Sequence, residues 1–206
     1  MTRALAALVL FTTTAFAQEL PQPGGPFHVG RASFSAIDRS RPEPFTDDPA
    51  DHRQLLFEVW YPTGAKSGTI APYLDVLAAD ELFRRSYSFV GIEHVVATRA
   101  HGIAGAPLSS ARRRYPLILF SHGLGSVAGL YSTLLENLAS HGYVVAGINH
   151  PYFSAAMRLP DGRVVKNESR RPWPGADATP EQQAELIRIR EAEAIVQAQD
   201  LRFALD

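Results

Sequence analysis

Two short apolar runs, separated by a glycine turn and a helical stretch, leave this chain few ways to fold. The first run, Leu117-Ile118-Leu119-Phe120, stops at Ser121-His122-Gly123-Leu124-Gly125, and the second, Tyr143-Val144-Val145-Ala146-Gly147-Ile148, follows about twenty residues later. Each has the length and the aliphatic or β-branched character of a strand buried on both faces of a sheet. Between them Leu130, Tyr131, Leu134, Leu135 and Leu138 fall on one helical face, Ser126 can serve as N-cap and Gly142 stands where a C′ glycine belongs, which predicts a helix from about 127 to 141. Strand, helix, strand over so short a span forces parallel pairing and a right-handed crossover. The turn after Phe120 is chemically distinctive. Gly123 and Gly125 let the backbone bend tightly and approach a ligand closely, and the donors of that bend lie beside a helix N-terminus. Such a turn suits an anion, or an oxygen that becomes negative during a reaction.

The rest of the chain dresses this unit. Residues 27 to 37 and 54 to 61 read as strands, joined by a polar, proline-bearing loop from 38 to 53, and therefore as an antiparallel pair. Helical spacing predicts helices from 73 to 85 and from 88 to 98. Residues 150 to 178 form a long irregular excursion in which MRLPDGRVV predicts a hairpin turning at Asp161-Gly162; excursions of this length on an α/β sheet are more often functional than not. Thr179, Pro180 and Gln182 make a helix start with a capping box, and Ala184, Ile187, Ala194, Ile195, Ala198, Leu201 and Leu205 continue as an apolar stripe to the last residue, Asp206.

Composition narrows the class. With 206 residues and 46% hydrophobic content the chain can bury one real core. A formal charge of −1 and no broad basic stripe argue against nucleic acid as a partner. The triplet Arg112-Arg113-Arg114 reads as a solvated loop, with a lipid phosphate as the alternative. Residues 1 to 17 carry Arg3, an apolar core and Ala15-Phe16-Ala17, the pattern of a secretory signal peptide cleaved after Ala17. The segment is too short and too rich in threonine for a membrane anchor. Cleavage would leave residues 18 to 206 with 19 Lys and Arg against 21 Asp and Glu, a formal −2, exported to a periplasm or the exterior. No cysteine is present, so neither a disulfide nor a thiolate nucleophile is available.

YPLILFSHGLG, then LYSTLLENLASHGYVVAGINH and the closing DLRFALD, together resemble the plasma and bacterial platelet-activating factor acetylhydrolases, α/β-hydrolases related to dienelactone-hydrolase-like esterases. The likeness is strongest from Tyr115 to His150 and weaker at VWYP (59 to 62) and APLS (106 to 109). The resemblance implies an α/β-hydrolase fold with a mostly parallel sheet and an antiparallel N-terminal hairpin. It also implies a serine esterase that cleaves short or oxidised acyl esters, typically of phospholipids, without a metal or other cofactor and with at most peripheral membrane contact. By the same resemblance the backbone N–H of Leu124 belongs to an oxyanion hole, with Gly123 and Gly125 shaping its turn.

One departure is large. No serine has the flanking glycines of Gly-x-Ser-x-Gly, and the triad acid and histidine of such enzymes follow that serine in sequence. The expectation is that the nucleophile elbow lies beyond Asp206 and that the C-terminal half of the fold is missing from this chain. His122 reads as a structural histidine under the turn, and His150, at the end of the second run, as a candidate for a supporting or pocket role. His141 reads as a helix-terminal residue, and the glutamates of the last helix as its solvated face. Two other readings stay open: a general exported esterase or dienelactone-hydrolase-like enzyme, and a non-catalytic fragment or binding module that keeps the turn without the nucleophile.

Overall fold

In the computed structural model, which describes residues 18–86, 91–168, 175 and 177–206, a five-stranded sheet carries helices on both faces. The expected signal peptide, and the start of the helix expected at 88, lie outside the described residues. Strands β1 (His28–Pro42) and β2 (His52–Thr63) pair antiparallel in an unbroken register from His28 opposite Thr63 to Asp38 opposite Arg53. Their apolar alternation thus runs further than expected and shortens the connection. Helix α1 (Val76–Ser86) starts three residues after the predicted position, because the Asp75 side chain accepts the Leu77 N–H and caps it there. It is followed by α2 (Ile92–Ala97) and by β3 (Ile103–Ala104), a two-residue strand that sequence periodicity cannot register.

The predicted strand, helix and strand are present as β4 (Leu117–Ser121), α3 (Ser132–Ser140) and β5 (Val144–Asn149). Strands β4 and β5 pair in parallel, Leu117 opposite Val144 through Ser121 opposite Ile148. The spatial order is β3-β1-β2-β5-β4, with β1–β2 and β2–β5 antiparallel and β1–β3 and β4–β5 parallel, so the sheet is mixed. Two expectations are corrected here. Strand β4 is not buried on both faces: Leu117 is 54% exposed and the rest of the strand is half-buried, because β4 stands at the edge of this sheet. Nor does Ser126 cap a helix from 127. A 3₁₀ turn (Ala128–Tyr131) comes first with Val127 in the N-cap position, and the Ser126 hydroxyl is buried without a hydrogen-bond partner among the described residues. At the other end Gly142 takes φ 99° as a C′ glycine should, and the His141 ring donates to Asn137 O at 2.8 Å, as a helix-terminal residue.

The excursion forms the hairpin β6 (Ala156–Arg158) and β7 (Val164–Lys166), with Gly162 at φ 89° in its turn. Helix α4 (Pro180–Phe203) begins with the predicted capping box on Thr179 and Gln182, but it ends at Phe203 rather than running to Asp206. Its apolar stripe is also largely uncovered: Ile187 is 54% and Ile195 58% exposed, and its packing rests on Leu186 and the last two turns. Two cores result. On one face Val29, Trp60, Val145, Ala128, Leu135 and Ala139 join the sheet to α3; on the other Leu55, Phe57 and Ile148 meet Leu201 and Phe203 of α4. Burying several such side chains at about 1.5–3 kcal/mol each fixes the strand ends to which the site is attached.

Candidate functional site

The turn after β4 is built from a small set of hydrogen bonds. Gly123 O accepts the Ser126 N–H at 3.0 Å, closing a β-turn in which Gly125 takes φ 73°. A positive φ at the third position of such a turn suits glycine, since any Cβ would be strained there. The Gly125 N–H donates to Phe153 O at 2.8 Å, and the same carbonyl accepts from Asn167 Nδ2 at 2.7 Å. Ser126 O in turn accepts the Ala155 N–H at 2.9 Å. The excursion after β5 therefore holds the turn from behind. The N–H groups of Gly123 and Leu124 donate to no acceptor among the described residues.

His122 sits beneath the turn. Its Nδ1 lies 2.8 Å from Gly123 O and its Nε2 2.8 Å from Ser154 Oγ. A carbonyl can only accept, so Nδ1 carries the proton and Nε2 receives the Ser154 hydroxyl. Burial pushes the ring's pKa down to about 4, against the Gly123 carbonyl, which favours the charged form; the nearby His150 adds to the depression. Hence the ring is neutral at physiological pH. The His122 and His150 rings meet edge to face with centroids 5.6 Å apart.

His150 joins a second network that sequence reasoning missed. Its Nε2 is 2.9 Å from Ser121 Oγ and its Nδ1 2.8 Å from Asp200 Oδ2, a Ser-His-Asp row. Asp200 also receives Arg53 through two nitrogens, at 2.8 and 3.1 Å, and Arg41 at 2.9 Å; Arg53 reaches on to Glu43 at 3.0 Å and Pro151 O at 3.2 Å. Burial alone would raise the Asp200 carboxyl, but the hydrogen bonds from His150 and Arg53, and the Arg53 charge, hold it below the usual range. Glu43, pushed up by burial, goes the other way despite Arg53. His150, Arg53 and Asp200 have no exposed surface. Side chains alternate along β4 and Phe120 packs on Tyr131 beside α3, so Ser121 lies on the opposite, α4 side. The row thus ties the ends of β4 and β5 to α4, and Arg53, stacked 5.5 Å from the Phe153 ring, underpins the segment that grips Gly125. One signal of it was legible: an aspartate at 200 among Val196, Leu201 and Phe203. Its partners, 50 and 147 residues away, were not.

A cleft of about 520 Å³ opens on the α1 side of the sheet, lined by Leu74, Ala78, Val127 and Met157 over an Arg31–Glu58 pair. Arg31 also donates to Pro72 O and Tyr73 O, and Asn149 bridges Glu58 Oε1 to the Ala128 N–H, so these polar groups satisfy one another. An apolar group fits such a cleft better than a charged one. Among the described residues no three His, Asp or Glu side chains are placed to share a metal ion, and no helix is long and apolar enough to cross a membrane.

Comparison with known proteins bears on the fold and the family. A solved ferulic acid esterase from Streptomyces cinnamoneus superposes with a TM-score of 0.67 at 29% identity, covering 93% of this chain and 49% of that one. The platelet-activating factor acetylhydrolase of Cavia porcellus is 49% identical over 51 residues, 25% of this chain and 12% of that protein. The acetylhydrolase of Bos taurus is 51% identical over 43 residues, 21% and 10% respectively. The chain thus spans about half the length of the solved esterase, and its matched segments a smaller share of the acetylhydrolases. The family model of platelet-activating factor acetylhydrolase, isoform II, matches residues 14–203, nearly the whole chain: an α/β-hydrolase fold with a glycine turn at the end of β4, the protein belongs to that family.

Proposed function

We propose that this chain supplies the oxyanion-binding part of an exported serine hydrolase acting on carboxylic esters, with short or oxidised acyl chains of phospholipids as the substrate class. The carrying observation is the Leu124 N–H, which stands in a braced turn at the C-terminal end of a strand and donates to nothing among the described residues. In the proposed reaction a serine hydroxyl attacks the ester carbonyl carbon, its proton passes to a histidine, and the carbonyl oxygen becomes an oxyanion received by that amide. Collapse expels the alcohol, which takes the proton back, and water then releases the acyl group. A pre-aimed donor of this kind contributes on the order of 3 to 4 kcal/mol to the transition state. The Leu124 side chain has no part in the step, and neither a metal nor a cofactor is called for.

The attacking serine in this reading is not Ser121, whose hydroxyl faces α4 and whose partner histidine is wholly enclosed. The native protein, treated with a fluorophosphonate and digested, should carry the adduct on another serine; an adduct on Ser121 would reverse the assignment. The solved ferulic acid esterase supports a second reading, a general exported esterase with no lipid preference. The choice is made by comparing turnover of a short-acyl phosphatidylcholine with that of a soluble aryl ester on the native protein: a kcat/KM at least tenfold higher for the phospholipid supports the first reading, and the reverse supports the second. If neither ester is cleaved, the non-catalytic alternative holds.

A further inference from the structure

We propose that His122 is a positioning residue that aims the Leu124 amide by gripping the carbonyl of the same peptide unit. The inference rests on the oxyanion reading above and extends it to a side chain. Gly123 C=O and Leu124 N–H belong to one planar trans peptide, in which the two bonds point in opposite directions. Whatever fixes the carbonyl therefore fixes the amide. The Gly123 carbonyl accepts two hydrogen bonds, from His122 Nδ1 at 2.8 Å and from the Ser126 N–H at 3.0 Å. With both in place the peptide cannot rotate about its flanking bonds without losing one of them.

The far side of the ring sets which nitrogen does this. Nε2 faces the Ser154 hydroxyl at 2.8 Å, and Ser154 is itself buried. That hydroxyl can donate to Nε2, which leaves the ring's proton on Nδ1, where Gly123 O needs it. Ser154 precedes Ala155, whose N–H bonds Ser126 O, so the support for the ring and for the turn comes from one short segment. The same segment is held by Arg53 through Pro151 O. A neutral ring that donates only from Nδ1 adds no charge that would compete with an oxyanion donor or draw water under the turn.

Asparagine and glutamine separate this role from mere filling of space. The amide nitrogen of Asn occupies nearly the place of Nδ1, and that of Gln nearly the place of Nε2. Nitrogen-15 spectra of the intact protein should show His122 as the Nδ1–H tautomer; the Nε2–H tautomer would overturn the inference, whatever the protein's activity. His122→Asn should keep the Leu124 amide shift and exchange rate close to those of the parent, whereas His122→Gln should move the shift and speed exchange severalfold. Ser154→Ala, which removes only the outer contact, should move it less than His122→Gln. Equal disturbance in Asn and Gln variants would mean that the ring only packs. With the ester cleaved by the native protein, His122→Gln should lower kcat about tenfold or more with KM unchanged, and His122→Asn should recover most of it. If no ester is cleaved by the parent, the oxyanion reading fails at that step, while the tautomer and the Leu124 amide still decide whether His122 aims it.

Discussion

Single residues set the direction of the donors in this protein, and one of them also sets how its stability responds to acid. His122 has a folded-state pKa of about 4 against 6.5 for a solvated histidine, because its ring is buried beneath the turn. The unfolded chain therefore takes up a proton before the folded one does. The stability this neutral ring contributes is present above pH 6.5 and is lost as pH falls from 6.5 towards 4, in total about 3 kcal/mol at 1.36 kcal/mol per unit. Urea unfolding of the parent should weaken across that window, and His122→Asn, which cannot titrate, should flatten the response. An unchanged slope would mean that other groups dominate. The carboxylates held low, Asp38, Asp51 and Asp200, act in the same sense but below about pH 4, so the two contributions separate along the pH axis.

Elements carry these residues to one place through the buried charges at the ends of β1, β2 and α4. Arg53 lies between Asp200 and Glu43 with no exposed surface, and Arg41 shares Asp200 with it. A buried pair such as this adds little over an apolar replacement of the whole network, but removing one partner strands the others. Arg53→Leu should cost about 3–5 kcal/mol in chemical unfolding, and adding Asp200→Asn should recover part of it. A loss below about 1 kcal/mol would show that water or side-chain rearrangement replaces the guanidinium. The same substitution should loosen the 150–154 segment and raise the exchange rate of the Gly125 amide.

Across the whole molecule, what the sequence made legible was whatever is local. The β4–α3–β5 unit, the capping box at Thr179, the hairpin at Asp161-Gly162 and the glycine bend each have a signature within a dozen residues. Three features stayed hidden for physical reasons. The edge position of β4 depends on the order of strands, which an apolar run does not encode. The split of the expected helix into a 3₁₀ turn and α3 depends on the Asn149 side chain taking the Ala128 N–H, a contact between residues 21 apart. The network of Ser121, His150, Asp200 and Arg53 joins residues up to 147 apart, and only the misplaced aspartate betrayed it. That span has a consequence for how the protein is made. Arg53 leaves the ribosome well before Asp200, its partner 147 residues later, so β2 cannot be sealed over the cation until that aspartate has emerged. In pulse-labelled refolding the amides around Arg53 should become protected together with the last turn of α4, and after those of β4 and β5. Until then the newborn chain stays unlocked at its most deeply buried charge.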